Sequence, residues 1–153
     1  EVIDGEIHAQ KLSSDLKTTI GDPILLFKAS SAPWVGSIYS EKKKVRGNVT
    51  DAPILYRAKN GDLLMLWSSF TKAPSRYAIG VARSSNGKID GVWTQEPTPL
   101  NNEPDGGGHA MIFKDFNNQL RISYHSPNSG PSRPKFLYLE DNNGKLTIRD
   151  TPL

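Results

Sequence analysis

Asn60-Gly61 stands between two apolar runs, Ile54-Leu55-Tyr56 and residues 63–67, and this stretch constrains the chain more tightly than any other. A two-residue type I′ turn needs φ > 0 at both central positions. Asn-Gly adopts that at little cost, so the spacing predicts a β-hairpin. Pro53 has no N–H and belongs at a strand start, not within a central ladder. Asp51, two residues earlier, is therefore expected at the mouth of the hairpin. Strand ends and loops on a rigid β scaffold are where chemistry is commonly placed.

The rest of the chain follows the same grammar. Residues 6–12 alternate as a strand, Ser13-Ser14-Asp15-Leu16 and Ile20-Gly21-Asp22-Pro23 read as turns, and Ile24-Leu25-Leu26-Phe27 reads as a short buried strand. Residues 30–48, broken by Pro33 and Gly36, read as a polar surface loop anchored by Trp34. Further strands are expected at 77–83, 92–94, 110–114, 120–125, 136–139 and 146–148, with Asn- and Gly-rich turns between them. No window of helical periodicity survives these turns, so the class is all-β and built of antiparallel hairpins.

A weak repeat is also visible. Asp51 and His109, 58 positions apart, each open a unit of polar residue, strand, Asn-containing turn and strand. Units of a few short strands at about 40–50 residues are the mark of a β-propeller blade. A β-sandwich of similar strands is the alternative.

Composition excludes several partners and chemistries. With no cysteine, disulfides and thiolate metal sites are absent. No apolar run approaches the roughly 20 residues that span a bilayer, so no membrane partner is expected. The net charge of +3 is too small to argue for nucleic acid, and the one basic cluster, Lys42-Lys43-Lys44-Val45-Arg46, reads as a solvated loop. The chain opens without Met, so the lack of a targeting signal leaves the parent's compartment open. The sequon Asn48-Val49-Thr50 abuts Asp51 and reads as chance, since a glycan there would block the cleft.

Asp4-Gly5-Glu6-Ile7, Ser14-Asp15-Leu16, the run from Gly21-Asp22-Pro23 through Ala29-Ser30, and Ala32-Pro33-Trp34-Val35 form one set of short segments. Val49-Thr50-Asp51-Ala52-Pro53, residues 63–70, residues 77–84, Gly108-His109-Ala110-Met111-Ile112-Phe113, His125-Ser126-Pro127-Asn128 and Arg133-Pro134-Lys135-Phe136 complete it. Taken in order, these segments resemble the later part of glycoside hydrolase family 43 proteins.

The resemblance implies a five-bladed propeller that hydrolyses arabinofuranosyl or xylosyl linkages in plant polysaccharides with inversion. It implies that residues 1–48 are the tail of one blade, 49–100 a blade and 101–153 the final blade. The missing N-terminal blades would then be a partner of this part. They would carry the general base and a second Asp that tunes the acid. A secreted or periplasmic location is favoured for the parent, with the cytoplasm as alternative.

It also implies roles residue by residue. Asp51 matches the general-acid position, where most of the family has Glu. Read from the residues alone, Asp51 is a turn-forming Asp before a strand. His109 matches a histidine near the propeller axis that contacts a hydrated metal ion, often Ca²⁺; its plain reading is a hydrogen-bonded core imidazole. His125 and Arg133 are candidates for sugar hydroxyls, and Trp34 for stacking on a sugar face or anchoring the core. His8 has nothing convergent near it and is assigned no role. A non-catalytic carbohydrate-binding propeller is the main rival, and a propeller for protein contacts is the third reading.

Overall fold

The computed structural model describes residues 2–152; Glu1 and Leu153, the limits of the expected division, lie outside the described residues. The turn residues recur too closely for a helix to propagate, and the described residues form thirteen strands and a single 3₁₀ turn at Ala29–Ser31. β1 (Val2–Asp4), β4 (Ile38–Ser40) and β5 (Val45–Asn48) make a small sheet in the order β1-β5-β4, with β1 parallel to β5. β2 (Glu6–Leu12) and β3 (Thr19–Lys28) pair antiparallel. β6 (Asp51–Arg57), β7 (Leu63–Phe70), β8 (Tyr77–Ser84) and β9 (Trp93–Gln95) form a four-stranded antiparallel meander. β10 (Gly108–Lys114), β11 (Leu120–Ser126), β12 (Arg133–Asn142) and β13 (Lys145–Arg149) form a second.

The two meanders stack as blades, and β7 shows why its sequence is apolar throughout. Successive side chains of a strand point to opposite faces, and both faces of β7 are buried. Met65 and Trp67 join a core of Ile7, Phe27, Trp34, Val35 and Trp93 on one side. Leu64 and Leu66 join Ile79, Ala110, Ile122, Tyr124 and Leu139 on the other. A strand covered on both faces reads as a continuous hydrophobic run.

At the turn end, the second core is sealed by polar clasps across the seam. The buried Asp141 carboxylate accepts from the Tyr56 hydroxyl at 2.9 Å, from the Lys59 N–H at 2.8 Å and from the Gly144 N–H at 2.7 Å. Arg83 pairs with Asp62 and donates to the Gly144 carbonyl at 2.9 Å.

Several sequence expectations change in detail. The β6–β7 turn is not type I′, because only Gly61 has φ > 0. The Gly61 N–H bonds the Ala58 carbonyl and the Ala58 N–H bonds the Asp62 carbonyl, which gives a three-residue loop with glycine in the left-handed position. Asn60 keeps negative φ because its side chain is engaged: Oδ1 accepts from the Asp62 N–H, and Nδ2 donates to Asp62 and to the Asn143 carbonyl. Gly21-Asp22-Pro23 is a distortion inside β3 rather than a turn; Gly21 has φ +68, and the register with β2 shifts between Ala9 and Lys11. Residues 30–48 are not a plain loop, since they contain β4 and β5, and the lysine run is the exposed turn joining them. The sequon asparagine is occupied: Asn48 Nδ2 donates to Asp4 at 2.9 Å and its Oδ1 accepts from Ser37 at 2.6 Å.

The repeat is real, but its period is 57. Asp51 pairs with Ser68 as Gly108 pairs with His125, and Ile54 with Leu66 as Met111 with Ser123, every counterpart being 57 positions on. In both blades the innermost strand bulges between these pairs. The residue in the bulge has φ > 0, +46° at Ala52 and +56° at His109. His109 is therefore the counterpart of Ala52, not of Asp51.

Candidate active site

The bulges bring the first residues of β6 and β10 to the same end of the seam. There Tyr77, the first residue of β8, lies buried at 4 % exposure. Its hydroxyl donates to Asp51 Oδ2 at 2.9 Å and lies 3.1 Å from His109 Nδ1. The His109 N–H donates to Ser68 Oγ at 3.0 Å, which closes the cluster onto β7. Burial and the Asp51 carboxylate together push the Tyr77 phenol pKa well above its ordinary value, so Tyr77 stays a neutral hydroxyl at any working pH.

The three glycines before His109 have a steric reason. A Cβ on Gly108 would run into the Tyr77 ring, and one on Gly107 would stand 2.7 Å from the His125 carbonyl oxygen. Gly106 has φ +72 and lies against the Tyr77 backbone. The Gly107 N–H bonds the Tyr77 carbonyl at 2.8 Å, so the crossing segment is laid directly along the tyrosine.

His125 belongs to the same cluster. Its ring stacks on Tyr77 with centroids 5.7 Å apart and lies 5.2 Å from the His109 ring, while its Nε2 meets Asn128 Oδ1 at 3.0 Å. Arg133 is exposed at the start of β12, on the rim of a shallow cleft of about 340 Å³ that His109, His125 and Phe136 also line. Asp51, His109, His125 and Arg133 thus gather at one end of the blades.

Trp34 does not join them. It is 7 % exposed and packs 5.4 Å from Trp67, so its ring offers no surface for a sugar and serves as a core anchor. His109 is exposed rather than a core imidazole. No group of three or more His, Asp or Glu converges among the described residues. Ca²⁺ takes six to eight oxygen ligands, so one imidazole nitrogen does not fit that role, and these residues do not by themselves build a calcium cage. His8 is exposed, and among the described residues its side chain bonds only Glu6, at 2.9 Å.

Tyr77 and Ser68 were not singled out from the sequence. A signal was present in Leu-Leu-Met-Leu-Trp-Ser-Ser-Phe, where two hydroxyls interrupt a doubly buried strand. Buried polar groups are expected to have partners, and Ser68 finds one in His109.

The family model for glycosyl hydrolases family 43 matches residues 2–144. No curated protein matches the chain. The crystal structure of endo-arabinase from Bacteroides thetaiotaomicron VPI-5482 is 58% identical, with a TM-score of 0.87 over 94% of this chain and 49% of that one. A thermostable family-43 glycoside hydrolase is 22% identical, with a TM-score of 0.71 over 99% of this chain and 51% of its own. An exo-1,5-alpha-L-arabinanase from a bovine ruminal metagenomic library is 19% identical, with a TM-score of 0.59 over 93% and 49%. At those two lower identities the likeness is one of fold. The chain spans about half the length of the solved structures it matches. The stacked meanders are propeller blades, as expected for part of a five-bladed β-propeller, and the sandwich alternative falls.

Proposed function

The chain belongs to family 43 of the glycosyl hydrolases, and from that premise we propose that it is part of an enzyme that hydrolyses O-glycosidic bonds in arabinose-containing plant polysaccharides. The likeness to an endo-arabinase at 58% identity favours arabinofuranosyl over xylosyl linkages. Asp51 is the general acid in this reading. The observation that supports it most is the Asp51 carboxylate itself. It lies at the bulged start of an innermost strand, with Oδ2 held by a buried phenol and Oδ1 free of protein hydrogen bonds among the described residues.

Inversion needs a second carboxylate roughly 6.5–9.5 Å away, with a water between it and the sugar. No other carboxylate is hydrogen-bonded into the Asp51–Tyr77–His109 cluster among the described residues. The base and the water it activates are therefore assigned to the remainder of the ring. Asp51 donates its proton to the leaving oxygen as the glycosidic bond breaks, and water adds from the opposite face. His125 and Arg133 bind sugar hydroxyls at the cleft rim. A hydrated Ca²⁺ on the propeller axis would be contacted by His109 only through one of its waters, and would supply structural rather than chemical support.

The rival is a propeller that binds arabinose-containing glycans without cleaving them. Proton NMR of the full-length protein with an α-linked aryl arabinofuranoside and with arabinan separates the two. The enzyme reading expects a first-formed product of inverted anomeric configuration from both, lost in Asp51→Asn on arabinan, whose leaving group needs the proton. Binding without product would favour the rival, and a retained configuration would remove the inverting mechanism.

A further inference from the structure

One hydroxyl group joins the acid to the axial histidine. Tyr77 is the sole residue whose side chain hydrogen-bonds both Asp51 and His109 among the described residues. Its ring is clamped on several sides: Phe70 lies 5.0 Å away, His125 stacks at 5.7 Å, and the bare Cα of Gly108 lets β10 close over it. A phenol so clamped has one degree of freedom, the rotation of its O–H, and one proton to give. In the structure that O–H donates to Asp51 Oδ2 at 2.9 Å, and an unprotonated carboxyl oxygen accepts whether the group is ionised or neutral. The phenol oxygen is then left to accept from His109 Nδ1, 3.1 Å away, which places a proton on that nitrogen.

We infer that Tyr77 is the positioning residue of the active site, holding Asp51 Oδ2 so that the transferable proton resides on Oδ1. The inference rests on the assignment of Asp51 as acid. Two oxygens share the proton in a free carboxylic acid. A donor fixed on Oδ2 leaves Oδ1 as the oxygen that carries it, and Oδ1 has no other partner among the described residues. The same contact stops the side chain from rotating, so the proton meets the leaving oxygen in one geometry. A small misplacement of a catalytic group costs up to about 100-fold in rate, which sets the scale of the effect.

The test is a mutant cycle in the full-length protein, read on an arabinan oligosaccharide, whose sugar leaving group needs protonation. Tyr77→Phe keeps the ring and removes only the hydroxyl. It should lower kcat about 10- to 100-fold and leave KM within about twofold. In an Asp51→Asn background the same change should cost less than about twofold, because residues acting as one unit are not additive. Unchanged kcat in Tyr77→Phe, or an equal loss in both backgrounds, means that Tyr77 only packs, and the inference falls. A silent Asp51→Asn instead removes the acid assignment, and the inference with it; the two failures differ in which single variant is silent.

A second measurement does not require Tyr77→Phe to fold. In ¹⁵N-histidine-labelled protein, the His109 resonance, identified by its loss in His109→Gln, should report a proton on Nδ1. It should shift toward Nε2–H in Asp51→Asn, where the amide can donate to the phenol oxygen and turn its proton toward His109. No change in the His109 shifts in Asp51→Asn overturns the link.

Discussion

The Tyr56 hydroxyl donates to the Asp141 carboxylate at 2.9 Å, tying β6 of one blade to the end of β12 in the next. Burial opposes the charge on Asp141, but the N–H groups of Lys59 and Gly144 and the Tyr56 hydroxyl outweigh it, so its pKa lies below the ordinary aspartate value. Removing the carboxylate as Asp141→Ala leaves those donors without a partner and should cost about 3 kcal/mol. A depressed folded pKa gives stability that is complete above the unfolded value and lost as pH falls through the folded one. The melting-temperature gap between wild type and Asp141→Asn should therefore be full above about pH 5 and close below about pH 4. A gap independent of pH between 3 and 6 would show that the charge on Asp141 carries no stability.

Asp51→Asn removes a proton donor while keeping side-chain shape. General acid catalysis contributes about 10²–10⁴-fold. The loss should approach that range for arabinan, whose leaving group is an alkoxide without protonation. For nitrophenyl arabinofuranosides, which leave without a proton, it should be under about tenfold. Steady-state kinetics on both substrates check this, and equal small losses would make Asp51 a turn residue.

If His109 contacts a water of a bound calcium ion, Ca²⁺ should stabilise the full-length protein. A ligand that binds only the native state adds about 2.7 kcal/mol at 100 times its Kd. Calorimetry with and without chelator should show a rise in Tm that shrinks in His109→Ala. No response to Ca²⁺ would leave His109 to its hydrogen bonds with Tyr77 and Ser68.

Gly80 is the point where two indoles meet. A Cβ there would run into the Trp34 ring and stand 3.0 Å from Trp67 Nε1. Overpacking of this kind costs about 1–3 kcal/mol. Gly80→Ala should lower the denaturation midpoint accordingly without changing KM, since Trp34 lies in the core. A raised KM at unchanged stability would return Trp34 to the substrate.

The outer face of the second blade carries Met111 at 55 % and Phe136 at 57 % exposure, with Phe113 edge-on to Phe136 at 6.4 Å. Contiguous apolar surface of this sort drives association. Residues 1–153 prepared alone should self-associate, as light scattering would report. A monodisperse monomer with a sharp thermal transition is the contrary result.

The fold class was legible because alternation and turn residues act locally. Leu63, Met65 and Trp67 against Leu64 and Leu66 mark a strand buried on both faces whatever surrounds it. The turn type was not legible, since Asn60 is held in negative φ by Asn143, 83 positions away. The period reads one residue too long when the polar residues Asp51 and His109 are matched, because the register pairs Asp51 with Gly108 and Ala52 with His109. Asp51 and His109 could be named from motif context, whereas Tyr77 looked like an ordinary strand residue. Its role depends on three strands converging, which no local pattern encodes.

The bulge shared by the two blades has a further consequence. Position 52 and position 109 occupy the same slot, and each pays the strain of a left-handed non-glycine backbone, roughly 1–2 kcal/mol. One slot holds an alanine and the other an imidazole, on the same strand register. One backbone socket thus holds a methyl in one blade and, in the other, a ring that reaches the Tyr77 hydroxyl, so the two blades differ in chemistry at this slot while sharing every strand pairing around it.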